Sequence, residues 1–415
     1  MELEEWLFCH YITYYLALKM LRDLISKNLS LIVMLLGAGT VFLSTIGAKQ
    51  FLSEHDFYHW TILLTLIAVV SPCCLLGGEQ LFIRYGTTNV NSYEVQLEVM
   101  LIIIFLGLVG TISSFYIFSS MLKVDLSIEA SLLTFFFSFI SILYSLFRIT
   151  SHFFLAQTIN NLWKIILLPI IFLFSFFDYY NIPHLFLVTI GISALISLYL
   201  YKRHPIKIKL VRKSICEAEL LYLAIGFSLT LITVTLLSNF DRFLMERYTI
   251  FSVFSEYVYL LMVLIFPFNI LSSYIGFKEV AFVKNNYNKE HFIKRMLGYS
   301  SALTSLFIIW YLVVYLFREL IQIELHYNVF FICVALVFVK SAYSMCSAVF
   351  GIKGKSHQII LANVLSLLIL GLSLLFLFIN KTEITVTLAL SFTTFIFVTR
   401  YFIFLTFTLK GANDV

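Results

Sequence analysis

The chain has 415 residues, of which 61% are hydrophobic and only 12% charged, and its formal net charge is +5. Soluble domains carry about 25% charged residues, so this composition, with a mean hydropathy of +0.96, excludes an ordinary soluble protein. The excess of Lys and Arg calls for no nucleic-acid partner, because the bias of positive charge toward cytoplasmic loops of membrane proteins accounts for it.

The N-terminal segment 1–29 is predicted to be cytoplasmic or interfacial. Three of the first five residues are acidic, which is unlike the basic start of a cleavable signal peptide. The apolar stretch 6–18 is shorter than the roughly 20 residues that a spanning helix requires, so we expect it to lie in the membrane interface. Met20 offers an alternative start of translation to Met1.

Twelve apolar stretches are long enough to cross a hydrocarbon core of about 30 Å. They form two sets of six, separated by a basic cytoplasmic linker at 202–217, and no loop is long enough to be a soluble domain. We therefore predict an all-α polytopic membrane protein with two six-helix bundles, 30–201 and 218–410, around a central cavity, and a C-terminal tail at 411–415. The predicted spans are 30–48, 58–78, 99–122, 130–150, 154–177, 184–201, 219–240, 250–277, 297–317, 328–350, 359–378 and 385–408.

Lys and Arg residues predict the orientation, because translocated loops keep few of them and cytoplasmic loops keep many. The two densest groups, at 202–213 and 278–295, lie two spans apart and so fall on the same side. Most other Lys and Arg residues between spans fall on that side as well. This alternation predicts that both termini are cytoplasmic.

Several polar and cationic residues fall within the spans or close to their ends. Lys340 lies near the middle of its span, where a charge costs at least ~2.5 kcal/mol, so a hydrated cavity is favoured over contact with lipid. In the fifth span the polar residues recur every three or four positions, which puts them on one helical face. The predicted substrate cavity contains Arg84, Arg148, Gln157, Asn160, Asn161, Lys164, Arg242, Lys340 and Arg400.

The charge of this set indicates the kind of substrate. Surplus positive charge favours an anion, and guanidinium groups pair with phosphate oxygens through two donors, so we expect a phosphate-bearing substrate. For Arg84 and Arg148 the alternative is that the long side chain reaches the membrane interface. Serine stripes on the same spans are also explained by close helix packing.

The sequence contains no phosphate-binding glycine loop, no His-Glu-x-x-His and no nucleophile elbow, so we predict no cofactor, no metal and no enzymatic activity. The six cysteines have no zinc-ligand spacing, and we expect no disulfide framework. Glu54 and Asp56, in the first outer loop, are the one hint of an enzyme. Acidic residues occur there in membrane glycosyltransferases that use lipid-linked sugars, although the long outer loop usual in such enzymes is absent.

Two short segments carry a resemblance to a known family. One is Gly77-Gly78-Glu79-Gln80-Leu81-Phe82-Ile83-Arg84-Tyr85-Gly86, and the other is Asp241-Arg242-Phe243-Leu244 followed after a spacer by Tyr257-Val258-Tyr259. With the twelve-span layout, they resemble O-antigen and capsule flippases of the multidrug/oligosaccharidyl-lipid/polysaccharide exporter superfamily. The chain departs from the pattern at Ser255-Glu256, where many relatives place a glycine before the tyrosine.

The resemblance implies transport of a polyprenyl-pyrophosphate-linked oligosaccharide from the inner to the outer leaflet of the cytoplasmic membrane. The cations would meet the pyrophosphate, and Gln157, Asn160 and Asn161 would meet the sugar, while the two halves rock to open the cavity to each side in turn. Asp241 and Glu256 are the candidates for coupling to an ion gradient. Candidate partners are membrane lipids, a polysaccharide polymerase and its chain-length machinery. The alternatives are a small-molecule exporter of the same fold and a membrane glycosyltransferase or polysaccharide polymerase.

Overall fold

The computed structural model describes residues 29–85, 87–89, 92–123, 125–150, 152–176, 181–204, 206–211, 217–285, 288–353, 356–379 and 383–411. All but the last residue of the predicted N-terminal segment 1–29 lies outside these residues, as does all but the first residue of the predicted C-terminal tail.

Helices make up most of the described chain, and three short strands accompany them. The helices are α1 Leu29–Phe51, α2 Glu54–Cys73, α3 Gly78–Tyr85, α4 Leu97–Met121, α5 Ser127–Ile149, α6 Phe153–Phe176, α7 Ile182–Arg203, α8 Glu217–Tyr248, α9 Phe251–Leu264, α10 Phe266–Asn285, α11 Lys289–Leu316, α12 Tyr327–Lys353, α13 Ser356–Ile379 and α14 Val386–Gly411. The strands are β1 Thr87–Asn89, β2 Ser92–Gln96 and β3 Lys207–Val211.

The described residues provide eleven helices that are long and apolar enough to cross a membrane, and the bent pair α9–α10 provides a twelfth if it is one span. The prediction of an all-α protein with about twelve spans is therefore confirmed. One predicted boundary is wrong in a way that matters for function: the apolar pattern ends the seventh span at Phe240, but α8 continues to Tyr248. Asp241 and Arg242 consequently lie within a helix and not in an outer loop.

Two helix breaks have local causes. Between α2 and α3, Leu76 and Gly77 adopt left-handed backbone conformations with φ of 46° and 79°. A Cβ at Gly77 would lie 2.9 Å from the carbonyl carbon of Phe227 in α8, so only glycine allows this approach. Between α9 and α10 the axis bends by 48° at Ile265, where Pro267 follows and cannot donate a backbone hydrogen bond.

The three strands form one small sheet at the predicted cytoplasmic end, which the sequence analysis did not anticipate. β1 pairs antiparallel with β2, and β2 pairs parallel with β3. Lys209 Nζ lies 3.2 Å from Glu94 Oε1 across the parallel pair. Part of the predicted linker is therefore an ordered strand, attached to the α3–α4 connection of the first half of the chain. Burial raises the pKa of Tyr93 in β2, whose hydroxyl donates to the carbonyl of Phe82.

We call α1–α7 the first half and α8–α14 the second half. Within the first half, α5 packs on α2, α4, α6 and α7, and within the second half α12 packs on α10, α11 and α14 while α8 packs on α13 and α14. The halves meet chiefly where α2 contacts α8 and α9. That the two halves are separate rigid bundles stays a prediction.

Candidate functional site

A cavity of about 410 Å³ opens within the second half of the protein. Its walls come from α8, the α9–α10 bend, α12 and α14, and Ala68 of α2 completes it from the first half. The polar lining is supplied by the side chains Ser238, Asn239, Asp241, Arg242, Asn269, Ser272, Ser273, Lys340, Tyr343, Ser344, Ser347 and Thr393. A polar cavity at bilayer depth is the environment that a mid-span lysine requires.

Two cations and one carboxylate face this cavity. The Lys340 ammonium lies 4.7 Å from the centre of the Phe397 ring, and no salt bridge to Lys340 or Arg242 occurs among the described residues. Asp241 is 3% exposed; it accepts a hydrogen bond from the Tyr257 hydroxyl through Oδ2, while Oδ1 has no partner. The cavity therefore holds an excess of one positive charge when all three groups are ionised.

The bend between α9 and α10 shapes the side of the cavity opposite α8. Phe266 and Asn269 line the cavity immediately after the bend, and Ser272 follows one turn later. The Ser344 hydroxyl of α12 donates to the carbonyl of Ser272 at 2.8 Å, which holds α10 and α12 together beside the opening. Asn269 is not among the predicted site residues, although its position two residues after Pro267 is a signal, since helix breaks mark binding sites in transporters.

Arg400 lies behind the cavity wall and does not line the cavity. It is 2% exposed, and its Nη2 donates to Asn363 Oδ1 at 3.2 Å. Its guanidinium carbon lies 4.9 Å from the ring centre of Tyr343, which does line the cavity, and 5.2 Å from that of Phe404. Arg400 can thus orient Tyr343 from behind, through cation–π contact.

The polar face predicted on the fifth span lies on α6, in the first half, and it does not reach the cavity of the second half. Lys164 Nζ donates to Asn161 Oδ1 at 2.9 Å, and Asn161 Nδ2 donates to Gln157 Oε1 at 3.1 Å. Asn161 is fully buried and packs against Gly37 of α1, while Asn160 beside it is half-buried. None of these residues lines the cavity of the second half.

Arg148 also lies away from this cavity. Arg148, in the last turn of α5, lies close enough to Glu79 of α3 for their charges to interact. The side chain of Arg84 lies outside the described residues. Among the predicted cations whose side chains the structure describes, Arg242 and Lys340 line the cavity together, with Arg400 directly behind them.

The two predicted ion-coupling residues are placed very differently. Asp241 lines the cavity, as described above. Glu256 has a 44% exposed side chain and forms a salt bridge with Lys49 of α1, away from the cavity.

The acidic pair that hinted at an enzyme lies in the first turn of α2, where Asp56 takes part in the N-terminal cap. The Ser53 hydroxyl donates to Asp56 Oδ2 at 2.7 Å and accepts from the Asp56 backbone N–H at 3.1 Å, which caps the helix. Glu54 is exposed in the same turn. No group of three His, Cys, Asp or Glu side chains able to hold a metal ion is found in the described parts of the chain.

Comparison with known proteins shows similarity only at the level of the fold. No family model and no curated protein matches the chain. A crystal structure of MATE in complex with MaL6 superposes with a TM-score of 0.58 at 14% identity. The superposition covers 92% of this chain and 94% of the MATE chain. A crystal structure of a MATE mutant with one proline replaced by alanine superposes with a TM-score of 0.54 at 13% identity, with the same coverage of both chains.

The similarity extends over nearly the whole of both chains, so it describes the complete arrangement of spans. The chain thus has the fold of these MATE structures.

Proposed function

We propose that the protein is an exporter that moves a polyprenyl-pyrophosphate-linked oligosaccharide from the inner to the outer leaflet of the cytoplasmic membrane. The observation that carries this proposal is the polar cavity in which Lys340 and Arg242 face the same space with no salt bridge between either of them and a described carboxylate. A cation at this depth is costly, and an anionic substrate would compensate it.

The chemistry of the lining suits a sugar pyrophosphate. Arg242 can pair with two phosphate oxygens and Lys340 can donate up to three hydrogen bonds, which matches adjacent phosphates. Asn239 and Asn269 offer amide groups to sugar hydroxyls. A volume of 410 Å³ lies at the lower end of the roughly 300–1,000 Å³ range of ligand pockets, enough for the pyrophosphate and the first sugar.

The proposal also covers the motion of the two halves, the coupling ion, the orientation of the termini and the partner proteins. The two halves would rock about the α2–α8 contact, so that the cavity opens to each side in turn. Asp241 would carry the coupling proton or sodium ion, because it lines the cavity and its Oδ1 is buried without a hydrogen-bond partner. We propose that both termini are cytoplasmic, and that a polymerase with its chain-length machinery receives the product.

A small-molecule exporter of the same fold is the second candidate, and Asp241 is the observation that favours it. A buried carboxylate with one free oxygen would attract a cationic compound. The two candidates differ in which charge of the cavity does the binding. Loss of Lys340 should abolish transport of an anion but favour transport of a cation.

The test uses a deletion strain in which polyprenyl-linked glycans are extracted and assigned to a leaflet. Lys340→Gln combined with Arg242→Gln should leave complete repeat units stranded on the cytoplasmic face. Lys209→Gln, which removes a charge from the surface ion pair with Glu94, is the control and should restore export.

Three outcomes would contradict the proposal. Full export by the double variant would show that the cavity cations do not bind the substrate. An unchanged pool of lipid-linked glycans in the deletion strain itself would favour small-molecule export. Single units that reach the outer face but are never lengthened would indicate a polymerase.

A further inference from the structure

Side-chain contacts between the two halves concentrate at the predicted outer end, where α2 begins and α8 ends. The centre of these contacts is Glu246, in the last turn of α8. Its side chain is 2% exposed, and Oε1 accepts two hydrogen bonds from the first half: one from the Tyr58 hydroxyl at 3.1 Å and one from the Lys123 backbone N–H at 2.9 Å. The second oxygen, Oε2, is buried and has no partner.

The groups around Glu246 do not neutralise its charge by direct contact. The Lys123 ammonium donates to the carbonyl of Thr249 at 2.6 Å and lies 5.6 Å from the ring centre of Phe251, so it is engaged elsewhere. No salt bridge to Glu246 occurs in the described part of the chain. Other titratable or charged groups near this contact include His59, whose ring lies beside Tyr58, and Arg242 and Arg247 on α8.

Aromatic rings seal the same place. The Tyr58 ring lies 4.4 Å from that of Phe251 and 5.7 Å from that of Phe254, centre to centre. Tyr58 therefore contributes both a donor to Glu246 and a packed ring to the seal. Water can reach the carboxylate only if α2 and the α4–α5 turn move away from α8.

These contacts make a strong but reversible link between the halves. Hydrogen bonds to an ionised acceptor are stronger than those between neutral groups, so the two donors hold Glu246 firmly. The free Oε2, however, is desolvated in this arrangement and would be hydrated if the outer end opened. The two hydrogen bonds favour the closed arrangement, whereas the desolvation of Oε2 opposes it. A contact that forms and breaks in every transport cycle needs such a balance.

We propose that Glu246 is the positioning residue that holds the outer end of the two halves closed, through Tyr58 and the Lys123 backbone. This inference rests on the proposed transport function, because it assigns the contact to the closed stage of alternating access. The carboxylate has to leave both donors before the cavity can open outward.

The chain offers a matched control at the same end of the molecule. Glu256 also joins the halves, through its salt bridge with Lys49, but its side chain is 44% exposed. The Lys49 side chain is 18% exposed, so the pair is only partly buried, and water and salt screen it more than they screen a contact of Glu246. Glu256→Gln should therefore change the closed state far less than a substitution of the buried Glu246.

The experiment measures the separation of the halves directly and needs no substrate. Spin labels are placed on cysteines at Glu54 and Glu319, exposed residues at the outer ends of the first and second halves, in a chain whose native cysteines are replaced. Pulsed electron paramagnetic resonance then gives the populations of short and long label distances in the purified full-length protein.

Glu246→Ala should raise the ratio of open to closed populations by about tenfold or more, because both charge-assisted hydrogen bonds are lost. Tyr58→Phe removes one donor and keeps the ring, so its shift should be smaller and in the same direction. Glu246→Gln keeps a carbonyl that can accept both bonds but removes their charge assistance, so its shift should be smaller than that of Glu246→Ala and in the same direction. Glu256→Gln leaves Glu246 untouched and should change the ratio by less than about threefold.

An unchanged distance distribution in folded Glu246→Ala would overturn the proposal, as would shifts of equal size in Glu246→Ala and Glu256→Gln. If Glu246→Ala does not fold, Tyr58→Phe is compared with Glu256→Gln. A shift in Tyr58→Phe no larger than that in Glu256→Gln would then overturn the proposal. Failure of the substrate assignment would appear in the leaflet assay alone and would leave these distances as predicted.

Discussion

Replacement of Lys340 is the sharpest test of the candidate site, because structure and function should respond in opposite directions. The Lys340 side chain, in α12, is half-buried and faces the cavity, and its charge is compensated by the Phe397 ring and by Asp241 at longer range. A fold selected for stability alone would place an apolar side chain there. We therefore consider Lys340→Met, which keeps the length and packing of the side chain and removes the charge.

The magnitude follows from the contacts that a phosphate group would make. A hydrogen bond to a charged group contributes about 1.5–3 kcal/mol, and 1.4 kcal/mol corresponds to a factor of ten in Kd. Lys340→Met should therefore weaken binding of a polyprenyl pyrophosphate by about 10- to 100-fold. In the absence of ligand the same substitution should leave the Tm unchanged or raise it, because an ammonium without a salt bridge is replaced by an apolar side chain in the middle of a span.

Both quantities can be measured on the purified protein in detergent, by calorimetric titration with a short-chain polyprenyl pyrophosphate and by thermal unfolding without ligand. Lys164→Met is the matched comparison, since Lys164 is also a lysine within a span but donates to Asn161 outside this cavity. A Kd within about twofold of the wild type, together with a lower Tm for Lys340→Met, would refute the reasoning and assign the lysine a structural role.

The remaining predictions concern coupling, folding and the sheet. Asp241→Asn should abolish the pH and sodium dependence of transport measured in vesicles, whereas Glu256→Gln should keep it; the reverse result would exchange their roles. Gly77→Ala should destabilise the protein by about 1–3 kcal/mol in thermal unfolding, because φ is +79° and the α8 backbone leaves no room for a Cβ; an unchanged Tm would argue against this strain. Loss of the Glu94–Lys209 pair in Glu94→Gln should cost less than about 1 kcal/mol by the same measurement, since the lysine is 60% exposed, and a larger loss would mean that the pair anchors the linker.

The number and type of spans could be predicted from the sequence because the membrane constrains each spanning stretch by itself. A stretch that crosses the hydrocarbon core has to be apolar over its whole length and has to satisfy its own backbone hydrogen bonds, so composition alone marks it. The same reasoning marked Lys340 as a residue in need of a polar cavity, which is where the structure places it. Both inferences use only residues within one helix.

The sequence failed where a helix continues past its apolar stretch. Charged residues follow Phe240 and so end the predicted seventh span there, yet α8 runs to Tyr248 and buries both Asp241 and Glu246. The apolar run from Phe243 to Met245 was a signal that the helix continues, but the sequence does not show which partners bury the acidic side chains. Tyr58, which meets Glu246, is 188 positions away along the chain.

Which of the predicted site residues share one cavity is likewise determined by the tertiary structure. The sequence analysis put nine residues in one cavity by their depth and charge, whereas packing leaves Arg242 and Lys340 facing it, Arg400 behind Tyr343, and the Gln157–Asn161–Lys164 chain on α6 in the other half. Depth in the membrane follows from position within a span, which is a one-dimensional property. The direction in which each helix face points depends on packing against helices distant in sequence, and only the assembled fold determines it.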